Sequence, residues 1–190
     1  MEDFCFPFPG RDLAAQELTY DPCYSKIPPE DREKIVEQAW QKGCQAAEMV
    51  FQRESGMGDF AKIAGSSGLK LEEKPVDYVV GKQRYFSDYV SGQNTIHLYA
   101  GSIEKWAQKN HLSYDCAVNL ILCHEYYHYL EVNEIGLTSR DYCVPLVQLG
   151  RFRLGKTGIR ALSEVGAHGF VGRYFELLRE KEPQHETANL

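Results

Sequence analysis

His124 and His128 stand four residues apart in the run His124-Glu125-Tyr126-Tyr127-His128. On a helix that spacing puts both imidazoles on one face, about one turn apart, so two ring nitrogens can reach one cation. Glu125 then sits beside the first ligand, where a carboxylate can reach a metal-bound water without touching the metal. The chemistry open to such a trio is hydrolysis. A zinc ion would acidify the water and the glutamate would take its proton. Leu120, Ile121, Leu122 and Leu130 bracket the run with apolar residues that would bury the site.

A catalytic zinc uses three protein ligands and keeps one position open. Four residues compete for the third place. Glu131 lies one turn beyond His128, too close along the same helix to close a tetrahedron easily. Glu134 would require the chain to turn away at position 131, which needs glycine, and that residue is glutamate. Glu164 fits better. It shares a helical face with Ala161, Ala167, His168, Val171 and Phe175 on a second helix that a long connection could return against the first. An acid on a face of apolar and small residues is costly unless paired or metal-bound. His168, one turn after Glu164, is read as its supporting neighbour, with the alternative that it is the third ligand. Gly166, Gly169 and Gly172 on this helix could let backbones approach closely. For the oxyanion the candidate donors are Tyr126, Tyr127, Tyr129, Tyr142 and His97, and the sequence does not choose among them.

The elements that must position these residues follow from periodicity. Residues 1–29 hold five of the eight prolines and no clear period, so an irregular N-terminal arm is expected. Val36, Trp40, Cys44, Ala47 and Phe51 mark an amphipathic helix near 30–53. A short helix is expected at 59–65. Val76–Val80, Arg84–Val90 and Thr95–Tyr99 are rich in β-branched and aromatic residues and predict a small antiparallel sheet. A short helix from Ile103 to Lys109 follows. Ser113 is the expected N-cap of the motif helix, which runs to about Glu134 and stops at Gly136. Residues 137–159 read as a loop with one or two short helices. A last helix covers about 160–180, and 181–190 read as a flexible tail. The expectation is a single domain over 30–180.

The chain has 190 residues, 43% hydrophobic and 25% charged, in the ordinary range for a globular domain. Its net charge of -6 argues against nucleic acid as a partner. The cluster Arg151, Arg153, Lys156 and Arg160 reads as a solvated loop. The acidic, proline-containing N-terminus does not read as a secretory signal, and no apolar stretch is long enough for a membrane span. None of the six cysteines forms a Cys-x-x-Cys pair. Reduced thiols and a cytoplasmic location are therefore the expectation.

The run His124-Glu125-Tyr126-Tyr127-His128 followed by Glu164-x-x-Ala167-x-x-Phe170 resembles the ImmA/IrrE-type metallopeptidases. The upstream order, from Ala64-Gly65-Ser66-Ser67-Gly68 through a sheet ending in Ile96-His97-Leu98-Tyr99, is also similar, so the resemblance covers roughly residues 58–178. It implies a zincin-like α+β fold, a small antiparallel sheet on a helical metal-binding core. It also implies zinc on His124, His128 and Glu164, and Glu125 as general base. The substrate would be a protein or peptide, in this family often a regulatory protein. The chain departs from the family in Tyr126-Tyr127, where smaller residues are common, and in the added segment Ser102–Asn110. Two rival readings remain. One is a zinc-binding but non-catalytic regulatory or protein-interaction module. The other is a helical protein with no metal.

Overall fold

The computed structural model describes residues 7–150 and 152–186. The arm is less irregular than its prolines suggest. It contains helices α1 (Arg11–Ala14) and α2 (Glu17–Tyr20) and a 3-10 turn at Tyr24–Lys26. Ala14, Leu18 and Ile27 are buried. Single apolar anchors hold this segment, and a four-residue helix is too short to show a period. Residues 1–6, with Cys5, lie outside the described residues.

Helix α3 (Pro29–Arg53) opens on a proline with Glu30 and Asp31 in its first turn, as the N-terminal signals predict. Helix α4 (Phe60–Ser66) is capped by Asp59, whose side chain accepts from the Lys62 amide. Five strands follow: β1 (Lys70–Lys74), β2 (Tyr78–Val80), β3 (Gln83–Tyr85), β4 (Ser87–Val90) and β5 (Thr95–Tyr99). The sheet expected to be antiparallel is mixed. Its order is β1-β5-β4, with β1 parallel to β5 and β4 antiparallel to it, while β2 and β3 form a separate hairpin. Strand β1 was not expected from Lys-Leu-Glu-Glu-Lys. It is an outer, largely exposed strand, so it carries charges instead of the apolar residues that mark a strand.

Helix α5 (Ala100–Lys109) leads to the motif helix α6 (Tyr114–Leu130). Ser113 caps α6 by accepting from the Cys116 amide at 3.2 Å. The helix continues as a π-helical turn, Glu131–Ile135, and ends at Gly136, whose φ of 77° favours glycine. The region expected to be loop holds an antiparallel hairpin, β6 (Cys143–Leu149) and β7 (Phe152–Gly158). Its Leu146, Val147, Phe152 and Leu154 are exposed. A two-stranded ribbon with an apolar outer surface lacks the in-out alternation that identifies strands. Helix α7 (Ala161–Glu186) runs beyond the expected end at 180, so part of the expected tail is helical, and 187–190 lie outside the described residues. The architecture is therefore mixed α and β, dominated by helices.

Two packing features place α7, the carrier of Glu164. The first is a backbone-to-backbone approach of α3 and α7. A Cβ added at Gly43 would collide with the Gly166 carbonyl, and one at Gly169 would come within 2.6 Å of the Trp40 carbonyl. A Cβ at Gly166 would strike the Tyr127 hydroxyl on α6. The glycines expected to allow close approach do so at 166 and 169, whereas Gly172 leaves ordinary contact distance to the Trp40 ring. The second feature is a distant cap. Asp21, 8% exposed, accepts from the Ala161 amide at 3.1 Å and from the Cys23 amide at 2.8 Å. The arm thus supplies the acceptor at the start of α7. The main core, with Phe60, Tyr126, Tyr127, Phe170 and Tyr174, lies among α4, α6, α7 and the sheet. A smaller one joins the arm to α3 and α7 through Leu18, Ile27, Ile35 and Leu162. Among the described residues no helix is long and apolar enough to cross a membrane.

Two substitutions test this placement. Asp21→Ala should cost about 1 kcal/mol, the usual value of a lost helix cap. Gly166→Ala should cost roughly 1–3 kcal/mol through overpacking against Tyr127. Urea unfolding midpoints measure both, and an unchanged midpoint in either variant would contradict the packing described.

Candidate metal centre

Helix α6 sets His124 and His128 on one face, and α7 brings Glu164 up to them. The two imidazole Nε2 atoms are 3.3 Å apart. Glu164 Oε2 lies 3.2 Å from His124 Nε2, and Oε1 lies 3.6 Å from His128 Nε2. One ligand atom from each of the three residues falls within 4.8 Å of the others. A tetrahedral cation with bonds of about 2.0–2.1 Å holds its donors about 3.3–3.4 Å apart. The His124–His128 and His124–Glu164 separations meet that spacing, and Glu164 approaches His128 with its other oxygen. Two imidazole nitrogens at 3.3 Å also need either a shared proton or a cation between them, because their lone pairs repel. The donor set therefore fits a small divalent ion.

Glu131 orients the second imidazole. It is 2% exposed and its Oε2 meets His128 Nδ1 at 2.9 Å. Its other oxygen accepts from the Thr138 amide at 2.8 Å and the Ser163 hydroxyl at 2.9 Å. Burial alone would raise this carboxyl, but the His128 and Thr138 hydrogen bonds hold it below its ordinary value. Glu131 thus acts as a carboxylate behind a histidine, leaving Nε2 as the ring nitrogen that faces His124 and Glu164. As a ligand candidate it was set aside for its position on the same helix. That same i, i+3 position is what lets it reach Nδ1 instead.

The ligands sit in a strongly anionic setting. Burial would lower the His128 pKa, yet the Glu131 hydrogen bond and the charges of Glu164 and Glu125 raise it to about 9. Burial would raise Glu164, but the His124 hydrogen bond and the neighbouring rings hold it well below the carboxylate range. Glu17 of α2 faces the same cleft, and burial together with the Glu164 charge raises its carboxyl. It was missed because the arm gave no periodic signal.

His124 is held differently. Its Nδ1 is buried without a hydrogen-bond partner in the described structure, and packing orients the ring. Phe8 of the arm stacks on it at 5.9 Å and 26°, and His168 lies 5.3 Å away, centroid to centroid. His168 does not join the converging donors. It is 9% exposed, its Nδ1 likewise lacks a partner, and burial with the neighbouring His124 charge pushes its pKa down to about 3. It supports the site as a neutral ring beside His124, not through a hydrogen bond to Glu164.

Glu125 is 7% exposed and lines a cleft of about 750 Å³ together with the three candidate ligands. Ser87 of β4 donates to its Oε1 at 2.6 Å. Strand β4 is an outer strand of the sheet, and Ser87, Asp88 and Tyr89 line the same cleft. The five candidate oxyanion donors do not line it. Tyr126 bonds Arg53 and Ser67, Tyr127 bonds Thr138, Tyr142 donates to Asp31, His97 faces Asp88, and Tyr129 stacks on Tyr126. The tyrosines that do line it are Tyr85 and Tyr89. Of the basic cluster, Arg160 lines the cleft, and Arg151 lies outside the described residues. Glu134 pairs with Arg53 at 2.9 Å, away from the site.

No family model, curated protein or solved structure matches the chain.

The raised His128 pKa has a direct consequence. With the folded value near 9 and the unfolded value near 6.5, the stabilisation it gives metal-free protein is fully present below pH 6.5. That stabilisation fades as pH climbs through 9. The urea midpoint of chelator-treated protein should therefore fall from pH 6.5 to 9 relative to Glu131→Gln, which lacks the carboxylate. Parallel pH profiles for the two proteins would count against the His128–Glu131 pairing.

Proposed function

We propose that the chain is a zinc-dependent peptidase of zincin-like build that binds a protein or peptide substrate in the cytoplasm. The observation that carries the reading is the convergence of His124, His128 and Glu164, with one ligand atom of each within 4.8 Å of the others, and with Glu125 lining the same cleft. The two-motif resemblance to ImmA/IrrE-type metallopeptidases points the same way.

Bound there, zinc would polarise a carbonyl and acidify a water. The protein's residues do the rest. Ser87 holds Glu125 by one oxygen and thereby fixes the carboxylate plane. The other oxygen is left to take a proton from the attacking water and pass it to the departing amine. Glu131 keeps His128 in the tautomer whose Nε2 faces the cation. The outer strand β4 borders the cleft, so an extended peptide could align beside it through backbone hydrogen bonds. Glu125 is buried and both histidines are mostly covered, which limits the dilution of these interactions by bulk water.

A second reading is a zinc-binding module without catalysis, possessing the same ligands but regulating a partner protein. Phe8 stacked on His124 favours it, because the arm covers part of the cleft.

Metal analysis should find one zinc per chain. Glu131→Gln should weaken zinc affinity about 10–100-fold, the usual effect of losing a carboxylate behind a ligand. Glu125→Gln should keep the zinc and lower the rate of peptide cleavage about 100-fold or more. Bound zinc with no cleavage of any peptide by the wild-type chain would select the non-catalytic module. A chain that binds no zinc would end both readings.

A further inference from the structure

Beside the candidate ligands the cleft contains an aromatic slot, and the chain's own arm fills it. Phe8 meets Trp106 edge-on at 5.7 Å and 76°, stacks on His124 at 5.9 Å, and lies 5.8 Å from His168. Phe86 closes the far side of Trp106 at 5.6 Å. Among the described residues, three rings from α5, α6 and α7 thus meet a fourth from a segment distant in sequence, and Phe86 packs on Trp106 behind them. Offset and edge-to-face ring pairs of this kind are favourable beyond the area they bury. The identity of the inserted ring is therefore recognised, not merely tolerated.

The segment that delivers it is built as an extended ligand. Pro7 and Pro9 flank Phe8, and each lacks an amide hydrogen and restricts its own φ. A proline also biases the residue before it towards extended backbone, which applies to Phe8. Pro7, Phe8 and Pro9 all line the cleft. The arm is fastened farther along, by Arg11 to Glu37 at 2.6 Å and by Asp21 to α7. The inserted ring can leave the slot without releasing those anchors.

We propose that this slot selects an aromatic side chain, phenylalanine above all, in the peptide that the cleft binds, and that Phe8 is its intramolecular occupant. The proposal rests on reading the cleft as a peptide site. It does not rest on zinc or on hydrolysis. It makes Trp106 and Phe86 specificity-determining residues and makes the arm a competitor of the substrate.

The test uses the full chain and a fluorescently labelled peptide Phe-Pro-Phe-Pro-Gly, which repeats residues 6–10, read by anisotropy with and without chelator. The Phe8→Ala variant should bind the peptide about tenfold more tightly than wild type, the scale of one or two lost ring contacts with the competitor. Replacing the peptide's central phenylalanine by alanine should remove that gain. Adding Trp106→Leu to the Phe8→Ala chain should also remove it. If Phe8→Ala fails to melt cooperatively, Phe8→Leu keeps most of the volume without the ring and should shift binding in the same direction. Equal binding of the phenylalanine and alanine peptides, or no gain in the folded Phe8 variant, would overturn the proposal. Ring-dependent binding in a chain that cleaves no peptide would sink the peptidase reading alone. Cleavage without ring dependence would sink this inference alone.

Discussion

A carboxylate with 2% of its surface exposed must find partners, because desolvation of an unpaired charge is prohibitive. Glu131 finds them on three segments: His128 on α6, Thr138 in the turn after the π-helical stretch, and Ser163 on α7. The residue after Ser163 is Glu164. One buried acid therefore sets the orientation of one candidate ligand and anchors the helix that carries another. The π-helical turn begins at Glu131 itself. Widened turns of this kind recur where a helix must present side chains at unusual angles. Thr138 joins the same network a second time, through its hydroxyl to Tyr127. Tyr127 in turn packs where Gly166 leaves room. The polar network and the small-residue contact are thus two ends of one constraint on the separation of α6 and α7.

That constraint explains why residues so different in type are coupled. The spacing of donors around a cation tolerates only a few tenths of an ångström. A helix pair held only by aliphatic packing could slide by more than that at little cost. Here α7 is fixed against α3 by backbone contact at Gly43 and Gly169, against α6 by Gly166 and Tyr127, and at its first turn by Asp21. Each of these contacts is short-range and directional. Together they leave Glu164 few alternatives to the position beside His124 and His128.

The parts of this arrangement that were legible in the sequence are the local ones. The pairing of His124 with His128 follows from helical period, as do the Ser113 cap and the Gly136 stop. Glu164 drew attention because an acid interrupted a face made by Ala161, Ala167, His168, Val171 and Phe175, and the fold brings it to the histidine pair. The sheet's mixed sense was not legible, since β1 is an exposed outer strand whose Lys-Leu-Glu-Glu-Lys looks like loop. The β6–β7 hairpin was hidden by its outward-facing Leu146, Val147, Phe152 and Leu154. Glu131 was judged by its distance to a cation, and its true partner, the far nitrogen of His128, was one bond pattern away. The sequence did not choose among the candidate oxyanion tyrosines. On a helix, however, the residues next to a histidine point in other directions around the axis, and Tyr126 and Tyr127 are fully buried in the core.

The arm shows how far such reasoning must reach beyond motifs. Its contacts fall into two groups that are separable along the chain. From Arg11 onward the arm is structural: Ala14, Leu18 and Ile27 enter the core, and Asp21 caps α7. Before Gly10 it touches the cleft, through Phe8 against His124, His168 and Trp106. Gly10 lies between the groups, and a side chain there would meet nothing within 4 Å. The first group buries aliphatic surface and satisfies a helix end, so its loss would loosen the frame that holds Glu164. The second group contributes ring contacts to a surface already shaped by α5, α6 and α7, so its loss would leave that surface in place and uncovered. Cover and frame are built from one continuous segment, yet they depend on different physical terms, aromatic stacking in one and core burial with a buried cap in the other. The two can therefore respond independently to substitution, with Phe8 and the positions of His124, His128 and Glu164 resting on separate contacts.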